Sequence, residues 1–359
     1  MVACPAVGQT PGFFPTGHAV GTDFSRVYGL SADGHVAAGA SGSLTVSRSP
    51  GFTWTLAGGR DDFGLQAGMP AQTISAGISG DAGTVVGSTS IGIRAFVYHG
   101  PGTYQEIAPT GFYTATAAQG VSGDGSIVVG FMSVPQSFAS QAFRWTSAGG
   151  AQPLGFAQVG DAASSANGIS RDGTTIVGGS GGGSNPSVCF AWKQSTGMVA
   201  LPPLPGNTRS GGWGVNFDGS IIVGESSGNT PRATMWRNGQ TIDLGVVPGF
   251  AGGSIAKAVN DAGTVVVGYA SGTNTAASIW TPTFGMEHLS DYLSRNGIQV
   301  PSDWTLLNAT AVSADGLTIA GWGSNATTGS EGFVVTIPAP GSLVLVGAGT
   351  LLAAWRRRV

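Results

Sequence analysis

Charge is scarce in this sequence. Asp, Glu, Lys and Arg together make up 9% of the 359 residues, whereas they make up about 25% of a typical soluble domain. The net charge is −3 and no basic stripe is present, which argues against a nucleic acid as a partner. The two cysteines, Cys4 and Cys189, can form at most one disulfide, so a four-cysteine zinc site is excluded.

Glycine and apolar residues are abundant instead. Gly accounts for 62 residues, and hydrophobic residues make up 41% of the chain. This composition differs from that of disordered sequences, which combine low hydrophobicity with high net charge. Many short strands joined by glycine-rich turns fit it better than a charged helical bundle does. We therefore expect an all-β fold with a substantial core.

One phrase recurs seven times along the chain. An aliphatic residue precedes Ser or Asn, a turn with Asp-Gly or Ala-Gly follows, and an aliphatic run ends at a Gly eight residues after the Ser or Asn. Asp-Gly is a strong hairpin signal because both residues tolerate the positive φ of such turns. The copies begin 43 to 53 residues apart, at Ser31, Ser79, Ser122, Ser170, Asn216, Asn260 and Ser313.

A second phrase follows in each copy, with a small residue three positions before an aromatic one. The aromatic residues are Trp54, Tyr98, Trp145, Trp192, Trp236 and Trp280, whereas the seventh copy has Val335. We interpret each unit as four strands, the second of which is apolar throughout and hence buried on both faces. Units of this length match propeller blades, while the coils of a parallel β-helix, the alternative, are usually shorter. The sequence thus predicts an all-β protein, a β-propeller of about seven four-stranded blades.

Three features lie outside this repeat. Phe13-Phe14-Pro15 stands where a fourth strand would end, so we expect the N-terminus to supply the outer strand of the last blade and to hide an exposed edge. The spacing of Leu289, Tyr292 and Leu293, followed by Asn296-Gly297, predicts a short helix from Glu287 to Asn296. Trp213 and Trp322 are off the aromatic register, which favours an exposed surface position for both.

Residues with chemical potential form no catalytic constellation in the sequence. The histidines have no ligand spacing, and each repeated turn offers one carboxylate where a calcium loop needs several oxygen ligands. We expect turn-forming aspartates, a buried and unreactive Cys189, and a flexible turn at Gly181–Gly183, which lacks the Lys of a phosphate loop. No catalytic, cofactor or metal site is therefore predicted. The residues considered are His18, His35, His99, His288, the pair Asp61-Asp62, and the turn residues Asp33, Asp81, Asp124, Asp172, Asp218 and Asp315.

The repeats resemble the bacterial extracellular repeats called the HAF family, named for a His-Ala-Phe phrase. That phrase reads Gln141-Ala142-Phe143 and Val188-Cys189-Phe190 here, without the His, and the stretch Ser302–Leu306 resembles the last repeat of that family. The resemblance covers roughly residues 12–337. It implies a propeller architecture and export, and no enzymatic residues are associated with the family.

The C-terminus resembles a PEP-CTERM sorting signal, which combines a short Pro-rich motif, one hydrophobic helix and a basic tail. Here the parts are Pro338, Ala339 and Pro340, the apolar run 343–355, and Arg356, Arg357 and Arg358, with Ala339 in place of the Glu of the motif. The run has 13 residues, whereas a membrane span needs about 20. The resemblance implies transient membrane insertion and processing by an exosortase-type machinery. No secretory signal is visible in residues 1–11.

These observations divide the chain into an N-terminal segment (1–11), a β-propeller (12–337) and a C-terminal sorting segment with a short hydrophobic helix (338–359). We expect an exported, non-enzymatic protein of the bacterial cell envelope or extracellular matrix, which binds envelope polysaccharide or protein or serves as a scaffold. The alternative is a propeller enzyme that acts on surface polysaccharide. Such an enzyme would need two acid/base carboxylates within about 5–10 Å of each other on one face.

Overall fold

The computed structural model describes residues 10–43, 49–63, 73–89, 94–134, 139–272 and 274–339. Within these ranges the chain forms short β-strands and one α-helix, which agrees with the predicted all-β class. The apolar run 343–355 and the arginines of the sorting segment lie outside the described residues.

The strands follow one another as an N-terminal strand and seven successive groups. The N-terminal strand is β1 (Gly12–Pro15). The first four groups are β2 (Phe24–Leu30), β3 (Val36–Gly42), β4 (Gly51–Thr55), β5 (Gly59–Asp61); β6 (Thr73–Ile78), β7 (Val85–Thr89), β8 (Arg94–Tyr98), β9 (Tyr104–Ile107); β10 (Ala115–Val121), β11 (Val128–Ser133), β12 (Ser140–Thr146), β13 (Gly150–Pro153); and β14 (Ala163–Ile169), β15 (Ile176–Gly182), β16 (Asn185–Lys193), β17 (Gly197–Leu201).

The last three groups carry the one described helix between them. They are β18 (Arg209–Val215), β19 (Ile221–Ser227), β20 (Pro231–Arg237), β21 (Gln240–Gly245); β22 (Ser254–Val259), β23 (Val266–Ala270), β24 (Ala276–Thr281), β25 (Gly285–His288), then α1 (Leu289–Arg295); and β26 (Trp304–Val312), β27 (Thr318–Asn325), β28 (Gly329–Thr336). The predicted helix is confirmed, although Glu287 belongs to the preceding strand. We call each group a unit and its first strand the inner strand.

Each unit is an antiparallel array in which consecutive strands are neighbours. The last unit has three strands of its own, and β1 completes it by pairing antiparallel with β28, Phe13 opposite Val335 and Phe14 opposite Val334. This confirms the prediction that the N-terminus supplies the outer strand of the last unit. The inner strand of the first unit also meets β28 at one parallel pair, Phe24 opposite Ser330, so the two ends of the repeat are joined.

The recurring Ser or Asn organises the turn between the first two strands of each unit. In the first unit the Ser31 hydroxyl donates to Asp33 Oδ1 at 2.6 Å and accepts the Val36 N–H at 2.9 Å. Asp33 in turn accepts the His35 N–H, so its carboxylate stabilises the turn, as predicted. The same hydroxyl–carboxylate bond recurs at Ser79, Ser122, Ser170 and Ser313, while Asn216 and Asn260 accept the corresponding N–H with their side-chain oxygens.

These turns are hydrogen-bonded to one another from unit to unit. The Ala32 N–H donates to Gly80 O at 3.0 Å, and the Ala314 N–H of the seventh unit donates to Ala32 O at 2.8 Å. The remaining junctions are bridged in the same region by Asp81 N to Gly123 O, Gly123 N to Arg171 O, Asp172 N to Phe217 O, Asn216 Nδ2 to Asp261 O, and Asp261 N to Ala314 O. Each unit is therefore bonded to the next, and the seventh to the first.

A second set of bonds joins the units further from these turns. A buried Ser or Thr on an inner strand accepts the N–H of the small residue in the preceding unit's third strand, as Ser164 does from Ala142 at 3.0 Å. Thr73, Thr116, Ser210 and Ser254 act in the same way, and Ser25 accepts from Gly332 across the seventh-to-first junction. At the sixth-to-seventh junction Leu306 takes this place and packs on Ala277 and α1 instead.

The Gly that ends each aliphatic run lies opposite a bulge in the inner strand. In the third unit the pairing skips one residue between Ala118 and Gly120, so that Gln119 has no partner on β11. A Cβ added at Gly130 would lie 1.9 Å from the Ala117 carbonyl oxygen. No other residue fits there without moving the backbone. The same approach of 1.9–2.2 Å recurs at Gly39, Gly87, Gly178, Gly224, Gly268 and Gly321.

Aromatic side chains fill the spaces between units. Phe52, Phe96, Phe143, Phe190 and Phe333, one residue after the small residue of the second phrase, are fully buried. Trp54, Trp145 and Trp236 are buried as well, and Trp192 and Trp280 are partly buried against the same clusters. The prediction that the in-register tryptophans belong to the core is thus confirmed. Their burial stabilises the contacts between units, because each removes a large aromatic area from water.

The glycine of the turn gives a direct test of contact between units. Gly125 has φ +73° and a Cβ there would lie 2.1 Å from Thr84 Oγ1 in the preceding unit, whereas Gly150 has φ +64° and open space. We predict that Gly125→Ala lowers the free energy of unfolding by about 2–4 kcal/mol, since overpacking adds to the left-handed backbone cost. Gly150→Ala, the matched control, should cost only about 1–2 kcal/mol. Urea unfolding measures both, and equal losses would contradict the turn contact.

Candidate functional site

Inner strands from all seven units line one cavity of about 190 Å³. Its walls near the ends of the strands are small or aliphatic, for instance Gly29, Gly77, Gly120 and Gly168. A Cβ at Gly29 would lie 3.0 Å from the Ile78 backbone nitrogen, so these glycines allow neighbouring strands to converge. We call this space the axial cavity.

The bulge residues supply the variable part of this lining. Each inner strand has a register shift whose unpaired residue lies three positions before the recurring Ser or Asn, and we call these seven the bulge residues. Strand β26 has a second shift, at Leu307. Bulges re-aim side chains and are common beside functional sites. Six of the seven bulge residues line the axial cavity, namely Tyr28, Ala76, Gln119, Asn167, Trp213 and Lys257. The seventh, Thr310, instead donates to Val27 O of the first unit at 2.8 Å.

An ion pair crosses the turn side of the axial cavity. Arg171, from the turn of the fourth unit, lines the cavity and pairs with Asp261 of the sixth unit, with Nη2 to Oδ1 at 2.5 Å and Nη1 to Oδ2 at 3.2 Å. Burial lowers the pKa of Arg171 and raises that of Asp261, while each partner opposes the shift of the other. Both charged groups are partly shielded from water. Replacement of one side chain by a neutral residue would therefore leave the charge of the other uncompensated.

Trp213, which also lines the axial cavity, lies in a cluster of ionisable groups. Lys257 Nζ is 3.3 Å from the centroid of the Trp213 ring and 5.9 Å from that of Tyr269. Burial lowers the pKa of Lys257 to about 8, although Glu225 opposes this shift. Burial likewise raises the pKa of Glu225, against the effects of Lys257 and of the Trp213 indole. Perturbed groups that meet in a cavity are candidates for function.

A second cavity of about 540 Å³ adjoins the first. Asn167 and Trp213 line both cavities, so they form the wall between them. The second cavity lies between the inner strands of the fourth and fifth units and also contacts Arg209 and Glu225. We call it the side cavity. Its volume falls within the roughly 300–1,000 Å³ typical of ligand sites.

The four histidines lie apart from these two cavities. His18 contacts Ser330 O, His35 pairs with Asp33, His99 contacts Thr84 Oγ1, and His288 packs edge-on against Phe250. Within the described ranges no three His, Cys, Asp or Glu residues come together as a metal site would require.

One of the adjacent carboxylates, Asp62, and the described cysteine have structural partners. Asp62 forms an ion pair with Arg60 at 2.7 Å, and Arg60 stacks on Phe52 at 3.7 Å from the ring centroid. Cys189 is buried, and burial raises the pKa of its thiol, which disfavours the reactive thiolate. The Cys189 N–H donates to Ser210, so this position serves the junction between units.

The surface assignment of two tryptophans was wrong. Trp213 and Trp322 are half-buried: Trp213 lines both cavities, and Trp322 stacks under the Arg26 guanidinium at 4.3 Å from its centroid. Their register differs from that of the core tryptophans because Trp213 is a bulge residue and Trp322 follows the Gly opposite a bulge. A signal was present in the sequence: within the otherwise uniform phrase, the position three before Ser or Asn varies from Ala to Trp.

The sorting segment is described only at its start. Strand pairing ends at Thr336, before Pro338, as expected for a residue that cannot donate to a ladder. Ala339 is exposed, and Pro340, Arg356, Arg357 and Arg358 lie outside the described residues. In the described ranges we find no helix with the length and apolar character needed to cross a bilayer.

The titration of Lys257 can be followed by itself, because the chain has only two lysines and Lys193→Arg removes the other. We predict that the Lys257 amine titrates with a midpoint near pH 8, measured by NMR of ¹³C-labelled lysine in this variant. Since the pKa is lowered by folding, the unfolded chain binds more protons between about pH 8 and 10.5. The contribution of Lys257 to the free energy of unfolding should therefore rise with pH across that window. A midpoint near 10.5 would contradict its burial beside Trp213.

No protein-family model matches the sequence, and no curated protein matches it either. Among solved structures, an oligogalacturonate lyase in complex with manganese is 11% identical over 92% of this chain and 97% of its own, with a TM-score of 0.57. A prolyl endopeptidase is 10% identical over 89% of this chain, with a TM-score of 0.54, and the chain spans about half of its length (51%). A TolB protein from Agrobacterium tumefaciens is 16% identical over 73% of this chain and 89% of its own, with a TM-score of 0.46. The first two similarities show that the fold is an all-β fold of the propeller type.

Proposed function

We propose that the chain is an exported, non-enzymatic propeller that closes as a ring of seven blades and binds a ligand at its axial cavity. The observation that carries this proposal is the convergence of six bulge residues from six units on one cavity. These positions differ in chemistry from unit to unit, while the residues around them repeat. A position that varies on a repeated framework is where a repeat protein can acquire a binding specificity.

Closure of the ring is supported at the junction between the seventh and first units. Three kinds of bond meet there: Ala314 N to Ala32 O, Gly332 N to Ser25 Oγ, and Thr310 Oγ1 to Val27 O. The first two have counterparts at other junctions, so this junction resembles the rest. A closed ring also removes the sheet edges that would otherwise invite aggregation.

The distribution of carboxylates supports a binding role. Hydrolysis of a glycoside normally uses two carboxyl groups about 5–10 Å apart. Among the described residues that line the two cavities, Glu225 is the one carboxylate. Several other described carboxylates serve turns or ion pairs, as Asp124 does with Ser122, Asp243 with Arg232 and Glu287 with Arg295.

One observation favours the alternative, an enzyme that acts on surface polysaccharide as a hydrolase or lyase. Burial lowers the pKa of Lys257 to about 8, and Lys257 interacts with Glu225, whose pKa burial raises. An amine of this kind can act as a general base close to physiological pH. Turnover that depends on Lys257 would therefore distinguish the two functions.

We propose the cellular location of the protein from its sorting segment. The apolar run 343–355 and the three following arginines favour transient insertion in a membrane with the arginines on the cytoplasmic side. The protein would then be processed by an exosortase-type machinery and remain in the envelope or matrix, bound to polysaccharide or protein.

The proposed binding role can be tested by affinity electrophoresis in gels that contain alginate, xanthan, pectin or soluble cellulose. We predict that at least one gel retards the folded chain, and that Gln119→Ala combined with Lys257→Met abolishes the retardation. Lys193→Met is the matched control and should change nothing. The same mixtures should release neither new reducing ends nor unsaturated uronates. Product formed by the wild type and lost in Lys257→Met would establish the enzyme instead, and retardation by none would contradict binding at the axial cavity.

The proposed cellular location can be tested by deletion of residues 338–359. We predict that the truncated chain keeps the unfolding midpoint of the full chain, because the last strand ends at Thr336. In the producing bacterium the truncated chain should pass from the envelope fraction to the medium. A truncated chain that fails to fold would show that the segment belongs to the core and would refute the sorting interpretation.

A further inference from the structure

The side cavity has a lining that differs from that of the axial cavity, and the inference below rests on the proposed binding function. Serine is the commonest residue in its walls, and Ser165, Ser187 and Ser227 are each at least partly accessible. Gly179 and Gly211 leave the strand backbone open to the space, since a Cβ at Gly211 would approach only Glu225 Oε1, at 3.8 Å. The cavity therefore presents many short hydrogen-bonding groups beside apolar surface.

Two opposite charges stand in this lining. Arg209 is exposed and forms no ion pair among the described residues, so its guanidinium is available to a ligand. Glu225 is half-buried and interacts with Lys257 behind Trp213. A strongly anionic ligand would meet the Glu225 carboxylate, and a cationic ligand would meet Arg209. The charges thus favour a ligand without net charge.

Trp213 offers a flat apolar surface between the cavities. Lys257 lies over the ring at 3.3 Å and lines the axial cavity but not the side cavity. Trp213 also lines the side cavity, so Lys257 does not separate it from that space. Among the described residues of the lining, only Trp213 and Ala163 have apolar side chains, which argues against a peptide that anchors by a hydrophobic residue.

We propose that the side cavity binds a neutral oligosaccharide, with one sugar ring stacked on Trp213 and its hydroxyl groups bonded to Glu225, Arg209 and Asn167. A carboxylate accepts two neighbouring hydroxyl donors, a guanidinium donates to hydroxyl oxygens, and the apolar face of a sugar packs on an aromatic ring. Glycan recognition of this kind needs no catalytic residue and fits a surface protein.

The test measures binding of maltohexaose, cellohexaose, chitohexaose and hexagalacturonate to the full chain, by calorimetry and by tryptophan fluorescence. We expect at least one neutral hexasaccharide to bind more tightly than hexagalacturonate. Glu225→Gln and Arg209→Ala should each weaken that binding at least about tenfold, a change of about 1.4 kcal/mol. Glu106→Gln, a carboxylate on the outer strand β9, is the matched control and should bind as the wild type does.

The outcomes separate this inference from the proposed function. Binding that is lost in Gln119→Ala with Lys257→Met but unaffected by Glu225→Gln and Arg209→Ala would place the ligand in the axial cavity and overturn the side-cavity assignment alone. Preference for hexagalacturonate would overturn the charge argument. A concentration of about 5 mM lies above the millimolar limit of weak specific binding. If no hexasaccharide binds there, the assignment of a saccharide to the side cavity is wrong. Gel retardation then still tests binding at the axial cavity. Circular dichroism of each variant verifies that it is folded.

Discussion

The contact between a bulged inner strand and a glycine is the constraint on which the rest of this structure depends. The carbonyl oxygen before each bulge points at the neighbouring strand so closely that a Cβ would lie about 2 Å away, as at Gly130 and Ala117 O. Only glycine satisfies this approach, which is why the aliphatic run of every copy ends in Gly. The extra residue of the bulge is released from pairing and can turn toward the axis.

This constraint separates the residues that repeat in every unit and hold the fold together from those that differ between units. The turn Ser, the terminal Gly and the buried Phe repeat because each unit must make the same contacts with its neighbours. The bulge position carries no such requirement, so it ranges from Ala76 to Trp213. A framework of equivalent units thereby holds a cavity whose lining is unequal, with charged side chains from the fourth and sixth units and aromatic ones from the first and fifth.

Much of the fold could be predicted from the sequence because its signals are local. The Asp-Gly turns, the spacing of Ser and Gly, and the helical pattern around Leu289 depend on residues close together in the chain. The N-terminal strand was predictable as well, since the last copy lacked a fourth strand. By contrast, Ser164 and Thr116 gave no signal, because their acceptor role depends on the N–H groups of a neighbouring unit.

The candidate site was largely missed for a related reason. Trp213 was assigned to an exposed surface because it is out of register with the core tryptophans, and periodicity alone does not show that a bulge turns it toward the axis. Glu225 and Lys257 lie in different units, so nothing in their spacing predicted that they interact. Contacts between units join residues that lie far apart in the chain, and only the assembled units reveal them.

The central claim is that all seven units share one axis, which requires the seventh unit to be bonded to the first. Native-state hydrogen exchange of the full chain tests it at the backbone amides that bridge the turns, Ala32, Asp81, Gly123, Asp172, Asp261 and Ala314. The account predicts that Ala314, at the closing junction, is protected to the same degree as the other five and opens with them in one cooperative unit. Rapid exchange of Ala314 while the other five stay protected would show an open chain of units and would contradict the account.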